Sequence, residues 1–194
     1  MDFQHSAKVE ELLATIDTFM VDHVYPIERD HDDWCKHPDN LWKPWPGLEG
    51  LKVKAKAAGL WNLFLPHEYG ELSPGLSNLE YAPLAERMGR IEWASEIFNC
   101  SAPDTGNMEV LAKFGSKEQQ GQWLRPLLAG EIRSAYLMTE PQVASSDATN
   151  LETSIVRDGD DYVINGRKWW ISGMMHPDCK ILIIMGKTSF DAPR

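Results

Sequence analysis

The chain has no paired cysteine motif, no excess of positive charge, no apolar run long enough to cross a bilayer and no internal repeat. Each absence removes a class of protein. Cys35, Cys100 and Cys179 are odd in number and widely spaced, with no CxxC and no histidine at ligand spacing. A disulfide framework and a zinc site are therefore not expected, and the cysteines read as reduced thiols of a cytosolic or organellar protein. The 29 Asp and Glu outnumber the 19 Lys and Arg and leave a formal charge of -10, which repels phosphate backbones and anionic surfaces. No nucleic-acid partner is expected. The opening MDFQHSAKVEELL is acidic and amphipathic rather than basic and then apolar, and no stretch approaches the ~20 residues of a membrane span. Neither a targeting signal nor a span is expected. His23, His31, His37, His67 and His176 show no metal spacing and read as surface or capping histidines.

What is abundant is flat and polarizable: eight Trp and eight Met, which suit either a bulky core or a planar aromatic ligand. Their arrangement follows two periods. Val9, Leu12, Leu13, Ile16, Phe19 and Met20 recur at helical spacing and predict a helix from Ser6 to Val24, stopped by Pro26. A second is expected over Leu48 to Ala58, ending at Gly59, with NLWKPWPGLEG as the intervening loop. Ser77 with Glu80, and Ser116 with Gln119, have capping-box spacing and predict two more helix starts, with Pro83 and Pro126 expected to bend the axes that follow. Ile91 to Phe114 reads as two helices meeting at SAPDTGN.

Beyond Gly130 the period falls to about 2. Strands are expected over Arg133 to Met138, Glu152 to Arg157, Asp161 to Ile164, Arg167 to Ile171 and Lys180 to Lys187, with turns at Asp158-Gly159-Asp160 and Asn165-Gly166. The expected fold class is α+β: an all-α domain over residues 1–131, then residues 132–194 as part of an antiparallel β-barrel. Five short strands cannot close a barrel, and ILIIM is a near-continuous apolar run, so the chain is expected to be cut inside a domain.

Thr139-Glu140-Pro141, Ser146-Asp147, Asn165-Gly166 and Trp170-Ile171-Ser172 resemble, in order and spacing, the acyl-CoA dehydrogenase family. LPHEYGE, LAERMGR, KFGSKEQQ and LLAGE are similar to that family's helical landmarks, so the resemblance covers essentially the whole chain. It implies FAD as cofactor and α,β-dehydrogenation of an acyl-CoA thioester to the 2-enoyl-CoA. It also implies electron-transfer flavoprotein or a similar acceptor, a homo-oligomer when complete, and a cytoplasmic site if bacterial or a mitochondrial or peroxisomal one if eukaryotic. The cofactor-binding residues implied are Tyr136, Leu137, Met138, Thr139, Ser145, Ser146, Trp170, Ile171 and Ser172, with Ser146 also contacting substrate. A strand edge offers backbone donors and acceptors to the ring's pyrimidine end, an indole covers one face, and a hydroxyl at Ser172 lies near N5. Taken singly, Trp170 reads as core, and Thr139, Ser146 and Ser172 read as satisfied hydroxyls.

The loop QVASS is one residue longer than the family's common form, and Ser145 stands where glycine is usual. This variant is similar to the subgroup fused in animals behind a phosphotransferase-like domain, which acts on long, branched or hydroxylated acyl-CoAs. Glu140 resembles a free base, but its place in the motif is structural. The family's base lies in a later helical bundle, so no catalytic residue is assigned within this chain. Two other readings stay open: a non-catalytic fragment or assembly module, and a flavin monooxygenase or acyl-CoA oxidase of the same fold.

Overall fold

Side-chain capping marks where some of the helices begin. Ser6 accepts the Val9 N–H and starts α1, Ala7–Phe19, whose axis runs on through a π-helical turn, Met20–Val24. Val9, Ile16, Phe19 and Met20 fall on one stripe and are buried against α4, Asn78–Met88. The Ser77 hydroxyl accepts the Glu80 N–H while the Glu80 carboxylate accepts the Ser77 N–H, a complete capping box at the start of that helix. The structure is a computed structural model and describes residues 4–191.

Between these helices lie α2, Glu28–Lys36, and α3, Leu48–Ala57, which closes at Gly59 with φ of 72°. After α4 come α5, Ala94–Ile97, and α6, Asp104–Phe114. A second complete capping box, Ser116 with Gln119, opens α7, Lys117–Gln119. A π-helical turn, Gln120–Leu124, runs on without a break in helical backbone into α8, Arg125–Ala129, so Pro126 lies inside a continuous helical run whose hydrogen bonding shifts just before it. Ile16, Met20, Leu60, Leu63, Leu84, Met88, Ile97, Phe98, Met108 and Leu124 form the core of this unit. The end of α8 is held from the side. The Leu128 carbonyl accepts Trp61 Nε1 at 2.8 Å and Asn62 Nδ2 at 2.9 Å, and the Leu127 carbonyl accepts Asn99 Nδ2 at 2.9 Å.

The chain divides into two compact units after Glu131. In the second, β1, Arg133–Leu137, pairs with β4, Cys179–Ile184, and the pairing is parallel. β2, Ser154–Asp158, and β3, Asp161–Asn165, form an antiparallel hairpin closed by Gly159 at φ of 61°. Past β4 the chain joins this hairpin: Ile155 N–H donates to the Lys187 carbonyl and Lys187 N–H to the Thr153 carbonyl, both at 2.8 Å.

Three expectations are corrected here. The β unit is mixed rather than antiparallel, while the expectation that the strands present do not close a barrel agrees with the described residues. A long connection returns the chain to the starting end before β4, which permits parallel pairing, and alternation along a strand carries no information about direction. The segment expected as a strand over Arg167 to Ile171 is irregular, because Trp170 at φ of 56° breaks the extended run.

Asn165-Gly166 makes no hairpin either. Neither residue has positive φ, and glycine is needed for contact, since a Cβ at Gly166 would fall 2.7 Å from Thr153 Cβ and 2.9 Å from its Cα. Gly166→Ala is therefore expected to destabilise the β unit by about 1–3 kcal/mol through overpacking. Gly159→Ala meets only a left-handed φ in open space and should lose about 1 kcal/mol. Urea unfolding of both variants checks this, and a Gly166→Ala protein no less stable than Gly159→Ala contradicts it.

Candidate functional site

Residues of β1 alternate in which edge they serve. Arg133 N–H donates to the Asp178 carbonyl, and the Leu137 carbonyl accepts from Met185 N–H at 3.0 Å. Arg133, Ala135 and Leu137 thus face β4, while the backbone groups of Tyr136 and Met138 face the opposite edge.

Residues 168–173 lie along that opposite edge. Trp169 N–H donates to the Thr139 carbonyl at 3.1 Å, Lys168 Nζ donates to the Met138 carbonyl at 2.9 Å, and the Cβ position of Gly173 lies 3.3 Å from the Ser134 carbonyl. The segment runs beside the strand without completing a ladder, so a backbone edge is flanked by a flat side chain. Trp170 is 78% exposed and Trp169 44% exposed, with ring centroids 5.3 Å apart. Such exposure is high for indole and leaves both rings open to contact. By contrast, Trp45 and Trp93 pack around His31, and Trp61 caps α8.

The sequence candidates divide by environment. The Tyr136 to Thr139 stretch and the Trp170 to Ser172 stretch are brought together on this edge, with Ser172 exposed and Leu137 buried beneath it. Ser146 is exposed in the following loop. Ser145 is buried, and its hydroxyl accepts the Glu140 N–H at 2.7 Å, so that it braces the loop from within. Asp147 accepts both the N–H and the hydroxyl of Thr149, at 2.9 and 2.6 Å, which fixes the far end of the loop.

Glu140 holds the parts in register. Only 4% exposed, its carboxylate accepts Glu152 N–H at 2.6 Å, Thr153 N–H at 3.0 Å and Lys168 Nζ at 2.8 Å. Burial alone would raise its pKa, but Lys168, Thr153 and the Glu152 N–H outweigh that and hold it at about 2. A carboxylate so placed is ionised and fully engaged, which suits an anchor and not a proton acceptor. Lys168 is the residue of this arrangement that reading the sequence missed. The available signal was a lysine beside two tryptophans, in a segment whose exposure the pattern does not show. A polar cavity of about 320 Å³, lined by Glu140, Glu152, Thr153, Asn165 and Arg167 among others, adjoins the same anchor, and no residue of the Tyr136 to Thr139 or Trp170 to Ser172 stretches lines it. Among the described residues no His, Cys, Asp and Glu gather as a metal site. No described helix is long and apolar enough to cross a membrane.

The chain is similar to known proteins along nearly its whole length. Residues 6–131 match the acyl-CoA dehydrogenase N-terminal domain and residues 135–193 the acyl-CoA dehydrogenase middle domain. The probable acyl-CoA dehydrogenase FadE2 of Mycobacterium tuberculosis is 57% identical over 99% of this chain and 46% of its own length. The structure of a putative acyl-CoA dehydrogenase from Mycobacterium abscessus is 55% identical, with a TM-score of 0.91 over 99% of this chain and 49% of its own. An acyl-CoA dehydrogenase from Bacillus anthracis, complexed with FAD, is 25% identical, with a TM-score of 0.63 over 93% of this chain and 28% of its own. The chain spans less than half the length of these relatives.

Proposed function

The chain belongs to the acyl-CoA dehydrogenase family, and from that premise we propose that it serves the FAD-dependent α,β-dehydrogenation of an acyl-CoA thioester to the 2-enoyl-CoA. One observation carries the assignment: an exposed indole, Trp170, beside the outward backbone edge of β1. A planar ring with polar atoms along one side fits that pairing, and a relative of the same fold is complexed with FAD.

When bound, FAD supplies the acceptor for the hydride that leaves the acyl β-carbon. The chain's own residues bind, orient and shield. Tyr136 and the Met138 N–H would hold the ring's polar side through their backbone groups, and Trp170 would cover it and exclude water. Ser172 would orient the ring through its hydroxyl, Thr139 would close the strand end, and Ser146 would meet the substrate. None of these groups is suited to take the α-proton, and Glu140 is held ionised by its partners, so the role of base is assigned to no described residue. An electron-transfer flavoprotein or similar carrier is the acceptor proposed.

The test is anaerobic addition of acyl-CoAs of graded length and branching to the FAD-loaded full-length protein. Bleaching of the flavin absorbance with formation of 2-enoyl-CoA is expected. A protein that holds FAD but shows no acyl-CoA-dependent bleaching would defeat the proposal, and rapid reoxidation by oxygen would move it to an oxidase.

A further inference from the structure

The Trp170 indole has little to hold it. It is 78% exposed, its ring neighbour is Trp169, and its own backbone is left-handed at φ of 56°. Its position is therefore set by what fixes the backbone just before it. Two fixings are present. Trp169 N–H reaches the Thr139 carbonyl at 3.1 Å, and the Lys168 ammonium bridges the Met138 carbonyl at 2.9 Å and Glu140 Oε1 at 2.8 Å.

The second is the stronger, because both partners are charged and withdrawn from water, with side chains 9% and 4% exposed. The Glu140 end is itself fixed by the Glu152 and Thr153 N–H groups. We propose that Lys168 is a positioning residue: clamped by Glu140, it holds Trp170 at a set distance from the β1 edge and thereby sets the pose of the ring bound there. This rests on the flavin reading above. Lys168 also engages the Met138 carbonyl, leaving the Tyr136 groups and the Met138 N–H as the outward backbone partners for a ring. Losing it both loosens the indole and returns an acceptor to the edge.

The experiment uses the full-length protein with FAD as the probe, comparing Lys168→Met and the double variant Lys168→Met with Glu140→Gln. The double variant leaves no unpaired buried charge, so it should fold where the single variant falters. Three readouts are taken: hydrogen exchange over residues 166–173, FAD affinity, and the visible band of the bound flavin at saturation. Both variants should exchange faster over 166–173 and bind FAD about tenfold more weakly, because the indole must be ordered anew on binding. Their saturated flavin band should be shifted, a change that mere loss of stability does not produce. A folded double variant with wild-type exchange, affinity within twofold and an unshifted band overturns the proposal while leaving the flavin site standing. A wild-type protein that takes up no FAD overturns the flavin reading itself.

Discussion

Replacing Glu140 by glutamine is expected to lower the stability of the β unit by about 3–5 kcal/mol, the usual effect of breaking a buried ion pair from one side. The carboxylate accepts Glu152 N–H, Thr153 N–H and Lys168 Nζ within 3.0 Å, and it joins the end of β1, the start of β2 and the segment after β3. Glutamine keeps the shape but has one acceptor oxygen, and its amide N–H groups would point at other donors. The Lys168 ammonium, 9% exposed, would be left without its counter-charge. Adding Lys168→Met to Glu140→Gln should restore part of the loss, since it removes the buried ammonium left without its counter-charge. Urea unfolding, with hydrogen exchange to localise the change to residues 132–191, is the measurement. A loss below about 1 kcal/mol would show that the pair is not the anchor described.

The same pair fixes the sign of the acid response. Glu140 titrates at about 2 in the folded chain, below the ordinary carboxyl value of 4.5. A carboxylate depressed on folding contributes stability that is fully present above the unfolded value and is lost as pH falls through the folded one. The wild-type β unit should therefore weaken between about pH 4.5 and pH 2, and Glu140→Gln should flatten the response in that window.

How much of this was legible beforehand follows the range of each interaction. Ser77 with Glu80 and Ser116 with Gln119 announced their helix starts because a capping box is complete within four residues. The α1 stripe was equally plain. Asp158-Gly159-Asp160 was read correctly as a turn, but Asn165-Gly166 was misread as one, since its glycine answers to Thr153, thirteen residues back in the chain. The parallel pairing of β1 with β4 was hidden because nothing in RSAYL or CKILII states a direction. Glu140 and Lys168 sit 28 residues apart, so their pairing exists only in the folded chain. Ser145 was placed among the cofactor-binding residues by the family resemblance, and its hydroxyl is buried against the Glu140 N–H while Ser146 is exposed, a difference that the two adjacent serines do not announce.

Trp170→Ala, alone or with Ser172→Ala, is expected to separate binding from folding. At 78% exposure the indole buries little against the chain, so its removal should change stability by no more than about 0.5 kcal/mol. The same side chain, if a ring lies against it, loses its water on that face and gains a stacking contact. Removing such a contact costs about 2 kcal/mol, or roughly thirtyfold in the FAD dissociation constant. The two effects have opposite dependence on exposure: a core tryptophan would lose stability first, while a wall for a ligand loses affinity first. Thermal unfolding without cofactor, set beside FAD titration and the rate of flavin reduction by acyl-CoA, reads both quantities. Unchanged affinity and reduction rate in the folded double variant would mean that the indole faces solvent throughout the reaction, and that the outward edge of β1 serves some other partner.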